Sequence, residues 1–92
     1  MHNPLYVVYL IMSKMEKLIA RFKTKPKDFT WNEMTKILNS FGYEEIHGSG
    51  SRRKLIHDNC QLIALHEPYP KNILKTYQLE QVDEVLNEEN LL

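Results

Sequence analysis

The stretch Gly48-Ser49-Gly50-Ser51-Arg52-Arg53-Lys54-Leu55-Ile56-His57 reads as a flexible turn feeding a short, strongly basic strand. Gly48 and Gly50 supply the positive φ that a chain reversal needs, and Ser49 and Ser51 satisfy turn backbone groups. Successive side chains of a strand face opposite ways, so Arg52 and Lys54 share one face while Arg53 and Leu55 share the other. One face can meet phosphates and the other a core. A charged edge strand that resists aggregation is the plainer reading of the same residues.

Upstream of the turn, Tyr43 to His47 reads as the partner strand. Before it, Thr30-Trp31-Asn32-Glu33 fits a capping box, with Phe29 and Met34 at the positions of a hydrophobic staple. Met34, Ile37, Leu38 and Phe41 then recur at helical spacing, and Gly42 follows where a helix end favours a left-handed residue. The spacing predicts a helix from about Trp31 to Phe41. Ser13-Lys14-Met15-Glu16 is an earlier capping box, opening a short helix on Met15, Leu18, Ile19 and Phe22 that exits through the basic, proline-stopped loop Lys23 to Asp28. Downstream, Asp58 to Cys60 reads as a tight turn and Gln61 to Leu65 as a third strand. Pro68 and Pro70 exclude regular structure from His66 to Lys71. Leu79, Val82, Val85 and Leu86 give a last amphipathic helix with an acidic outer face, and Asn87 to Leu92 reads as a fraying tail.

Helices and a three-stranded antiparallel meander predict an α+β fold whose helices cover one sheet face and leave the other open. A chain of 92 residues suits one small domain. That domain is expected over residues 13–92, with residues 1–12 as an extension or a mis-assigned start, Met12 or Met15 being the alternative first residue. The apolar run Leu5 to Met12 is too short to span a bilayer and lacks a basic flank and a small-residue cleavage site. An added strand or helix on the core is its other reading.

The formal net charge is zero, but it is unevenly spread. Lys14, Lys17, Arg21, Lys23, Lys25 and Lys27 crowd one end against a single Glu16, while Glu80, Asp83, Glu84, Glu88 and Glu89 crowd the other. Such asymmetry lets one end attract nucleic acid and the other repel it. Cys60 is the only cysteine, which excludes an intrachain disulfide and points to a reducing, cytoplasmic setting. Nothing near it suggests a lowered thiol pKa. His2, His47, His57 and His66 show no metal-ligand spacing, so no metal and no cofactor are expected.

Several pieces together resemble a known family: Arg21-Phe22-Lys23, Pro26-Lys27-Asp28-Phe29-Thr30-Trp31, Phe41-Gly42-Tyr43, Gly48-Ser49-Gly50-Ser51-Arg52, Ile56-His57, and Leu65-His66-Glu67-Pro68 through Asn72-Ile73-Leu74-Lys75. From Arg21 to Leu86 the chain is similar to HicA toxins, small messenger-RNA-cleaving proteins partnered by HicB antitoxins. The resemblance implies a fold like that of double-stranded-RNA-binding domains, with two main helices on one sheet face plus a short N-terminal helix. It implies metal-independent cleavage of mRNA, neutralisation by a HicB-type antitoxin and no membrane. Arg52, Arg53, Lys54, Lys71 and Lys75 are the expected RNA-binding residues.

One position departs from the family. HicA toxins generally carry glycine-serine-histidine at the start of the second strand, with the histidine implicated in cleavage, and here Arg52 stands in that place. Arginine stays charged and cannot act as a general base. His57, five residues on, points to the opposite face. His47 is the candidate base: with a loop of Gly48 to Ser51 it lies across from Arg52, whereas a three-residue loop puts Ile46 there and His47 across from Ser51. Failing His47, His66 or Tyr69 in the proline loop comes next. A non-catalytic RNA-binding module or inactive toxin remnant is the alternative function, and a small adaptor with a merely solvated charge pattern is a third.

Overall fold

The computed structural model describes residues 13–92, so the expectations for residues 1–12 lie outside the described residues. Both capping boxes form. At the start of α1 (Lys14–Lys23) the Ser13 hydroxyl accepts from the Glu16 N–H at 3.1 Å, and the Glu16 carboxylate accepts from the Ser13 N–H at 3.4 Å. At the start of α2 (Trp31–Ser40) the Thr30 hydroxyl and the Glu33 carboxylate do the same at 3.2 and 3.0 Å. Gly42, at φ +97°, turns the chain out of α2, and a Cβ there would come within 3.0 Å of His57 Nε2.

Three strands follow, β1 (Glu44–His47), β2 (Arg52–Ile56) and β3 (Ile63–His66), paired antiparallel in that order. The last helix, α3 (Thr76–Glu88), returns across the sheet. Period-two alternation sorts the strands: Leu55, Ile63 and Leu65 are buried with Met34, Ile37 and Leu38 of α2 and Leu79, Val82 and Leu86 of α3. Arg52, Lys54, Ala64 and His66 stay exposed on the other face, with Ile46 beside them. The α+β architecture and its open sheet face are as the sequence predicts.

Some boundaries differ. The third strand begins two residues later than expected and takes in His66. The tail does not fray as one segment: α3 runs on to Glu88, and Asn90 adopts φ +59°. The Leu91 N–H then reaches the Leu86 carbonyl at 2.8 Å and the Asn90 N–H the Asn87 carbonyl at 3.1 Å, a Schellman pattern that returns Leu91 and Leu92 to the core. The proline loop is strapped down as well. Trp31 N–H donates to the Asn72 carbonyl at 3.0 Å and Leu74 N–H to the Phe29 carbonyl at 2.8 Å, around a bridge between Thr30 and Ile73.

Opposite charges from the two ends of the chain meet where Lys25 pairs with Asp83 at 2.8 Å. Arg21 reaches Glu33 at 3.1 Å and Asp28 at 3.2 Å, and lies 5.3 Å from the Phe29 ring centroid. Burial acts to raise the Glu33 carboxyl, but the Arg21 guanidinium and the Thr30 N–H and hydroxyl outweigh it and hold it below its ordinary value of 4.5. A carboxyl depressed by folding adds stability that is complete above its unfolded value and fades as pH falls through the lower folded value. Glu33→Gln keeps a capping side chain without the charge. It is expected to cost about 1 kcal/mol at neutral pH and to shrink the gap in stability between neutral pH and about pH 3, measured by urea unfolding at both.

Candidate nucleic-acid interface

The register of the first hairpin departs from both sequence-based expectations. His47 pairs with Arg53 and Ile46 with Lys54, so five residues, Gly48 to Arg52, separate the last paired positions instead of four or three, although Arg52 already belongs to β2. The extra residue is Arg52. Its N–H donates to the Ser49 carbonyl at 3.2 Å, closing a turn with Gly50 at φ +60°, and its carbonyl accepts from Gly48 N–H at 2.8 Å. Arg52 thus finishes the turn towards β1 while already pairing with β3. Gly48 does not use a positive φ, but a Cβ there would meet Arg52 Cβ at 3.2 Å.

A shift of one residue moves a side chain to the other face. His47 therefore shares the helix-side face with Arg53, not the open face with Arg52, and its Nε2 pairs with the Glu45 carboxylate. Glu45 also accepts from Trp31 Nε1 at 3.3 Å. The premise that placed His47 beside Arg52 is corrected.

Arg53 belongs to that inner face too. Its guanidinium donates to the Gly50 and Arg52 carbonyls at 2.9 and 2.8 Å and to the Glu67 carboxylate at 3.0 Å, with Glu45 at 3.9 Å. Only 13 % of the side chain is exposed. Its Nε and Nη1 donors are taken up by the hairpin and Glu67, so it braces the basic strand from the inner face. His57 is likewise committed: Nδ1 accepts from Asn59 N–H at 3.0 Å and Nε2 donates to the Phe41 carbonyl at 2.9 Å.

The histidine directly across from Arg52 is His66. Its Nδ1 lies 3.0 Å from Ser51 Oγ, and its Nε2 has no hydrogen-bond partner among the described residues. Ending the third strand at Leu65 hides this pairing in the sequence, although the parity of β2 and β3 carries it. Behind His66, the buried Gln78 side chain donates to the His66 carbonyl at 2.9 Å and accepts from Lys75 N–H at 3.0 Å, tying the end of β3 to the start of α3. Lys71 and Lys75 line a cleft of about 560 Å³ at that junction, together with His66, Tyr69 and Tyr77. Among the described residues, Arg52, Lys54, Lys71 and Lys75 form no ion pair, whereas Arg21, Lys25 and Arg53 are paired elsewhere.

A family model described as the HicA toxin of bacterial toxin-antitoxin systems matches residues 31–87. The chain belongs to the HicA toxin family. No curated protein and no solved structure gives a significant match. The matched region opens at Trp31, the first residue of α2, and takes in the whole sheet and nearly all of α3. A HicA toxin is one half of a toxin-antitoxin pair, which makes an antitoxin its partner by class. Among the described residues no helix is long and apolar enough to cross a membrane, and no group of three or more His, Cys, Asp or Glu is placed to hold a metal ion. The Cys60 thiol is pushed up by desolvation and then by the neighbouring Glu89 carboxylate, which makes it a poor nucleophile.

The two arginines of the strand should separate cleanly. Arg53→Ala is expected to cost about 2 kcal/mol by leaving Glu67 and the Gly50 carbonyl without their donor. Arg52→Ala should stay within about 0.5 kcal/mol of the parent, both read from denaturant midpoints at constant m-value.

Proposed function

We infer that this HicA toxin binds RNA on its open sheet face and cleaves mRNA without a metal, and that a HicB-type antitoxin neutralises it by covering that face. The observation that carries this reading is the gathering of Arg52, Lys54 and His66 on the uncovered face, with both cations unpaired among the described residues. RNA cleavage by internal attack needs a base at the 2′-hydroxyl and cations at the developing phosphorane. With Nδ1 protonated and donating to Ser51 Oγ, His66 presents a lone pair on Nε2. The 2′-hydroxyl proton passes to Nε2, the 2′-oxygen bonds to phosphorus, and the bond to the 5′-oxygen breaks. Water protonates the departing oxygen, leaving a 2′,3′-cyclic phosphate and a 5′-hydroxyl, and His66 returns its proton to solvent. Arg52 and Lys54 stabilise the added negative charge.

Arg52 at the family's histidine position also favours a second reading, in which the protein binds RNA without cutting it. Incubating purified protein with RNA, then resolving the products and their end groups, separates the two. His66→Ala is expected to slow cleavage about 10²- to 10⁴-fold with RNA affinity nearly unchanged, while His47→Ala leaves the rate as it is. The reverse outcome would return the base to His47. RNA left intact by the parent protein, but bound, would favour the binding module. Arg52→Ala with Lys54→Ala should lower the slope of log affinity against log salt by about 1 to 2, and an unchanged slope would remove RNA from this face.

A further inference from the structure

Two clefts meet at Tyr69. The larger, about 560 Å³, lies between the end of β3 and the start of α3 and is lined by His66, Tyr69, Lys71, Lys75 and Tyr77, among others. The smaller, about 430 Å³, is lined by Gly50, Ser51, Arg53, Glu67, Pro68 and Tyr69. Both volumes fall in the range of sites that enclose a small ligand, about 300 to 1,000 Å³. The walls are held. Gln78 ties His66 to Lys75, the Thr30 to Ile73 bridge fixes the loop behind Lys71, and Glu67 N–H binds the Ser51 carbonyl at 2.8 Å.

What the walls expose is unusual for so small a core. Tyr69 is 91 % exposed and Tyr77 61 %, although a domain of this size has every reason to bury its aromatic rings. Packing explains neither. Each of these tyrosines lines the same cleft as the unpaired cations Lys71 and Lys75, and His66, across from Arg52, belongs to the same lining. Flat aromatic surfaces interleaved with cations suit a ligand that alternates flat rings with phosphates.

Resting on the RNA-directed reading above, we propose that this cleft receives unstacked bases of single-stranded RNA, with Tyr69 and Tyr77 as stacking surfaces and Lys71 and Lys75 on the flanking phosphates. Bases within a duplex are stacked on one another and cannot reach exposed rings, whereas splayed bases of a single strand can. A base on Tyr69 sets the adjoining phosphodiester towards Ser51, Arg52 and His66. The substrate of this site is then single-stranded RNA, although the fold resembles one associated with duplex binding. An acidic protein segment would satisfy the lysines but would leave two exposed rings without a role.

The test compares two probes on the full chain: a fluorescein-labelled single strand of about 12 nucleotides, and its blunt duplex, both 2′-O-methylated so that neither is cleaved. Tyr69→Ala is expected to weaken single-strand binding about 10- to 100-fold, to leave duplex binding unchanged, and to melt with the parent. Tyr69→Phe keeps the ring and should keep the affinity. Tyr77→Ala should weaken single-strand binding in the same direction. Equal affinity of Tyr69→Ala and parent for the single strand, with binding still lost in Arg52→Ala with Lys54→Ala, overturns the cleft while the RNA face stands. Failure of the parent to bind either probe overturns the RNA reading itself. Loss of antitoxin binding in Tyr69→Ala with RNA affinity intact assigns the cleft to a protein partner and overturns the proposal.

Discussion

The guanidinium of Arg53 is the contact that joins the hairpin turn to the end of the third strand. It sits 13 % exposed between two carboxylates and two carbonyls, at the junction of the hairpin turn, the second strand and the end of the third. A largely desolvated cation is tolerated where it is paired and hydrogen-bonded, and these groups supply both to Arg53.

From that anchor the two faces of the sheet acquire separate duties. The inner face combines the apolar core with a chain of polar contacts running from Trp31 through Glu45 to His47 and Arg53. The outer face carries Arg52, Lys54 and His66 without acidic partners among the described residues. Cations without partners retain their full attraction for phosphate, whereas those already paired have little left to gain. The division is electrostatic as well as geometric, and it extends round the sheet end to Lys71 and Lys75.

Membership of the HicA family draws attention to position 52, where arginine stays charged and offers no proton acceptor. The antiparallel pairing of β2 with β3 sets the His66 imidazole across from Arg52, at side-chain distance. Sheets bring such groups together because residues far apart in sequence share one face at close spacing.

The sequence by itself determined the elements and their chemistry. Both capping boxes, the glycine after α2, the three strands and the alternation along Arg52 to Leu55 are local signals, and each is set by contacts within a few residues. It also determined the family, through short motifs kept in order. The register was beyond it, because four-residue and five-residue turns with the same glycines and serines differ only in whether Arg52 bonds back to Ser49. That choice is made by tertiary contacts, chiefly those of Arg53 with Glu67 and the pairing of Arg52 with His66. For the same reason the site residues were only partly legible. Arg52, Lys54, Lys71 and Lys75 stood out by charge, but that Arg53 turns inward to pair with Glu67, that His47 shares its face and that His66 faces Arg52 follow from strand pairing, which local patterns alone do not fix.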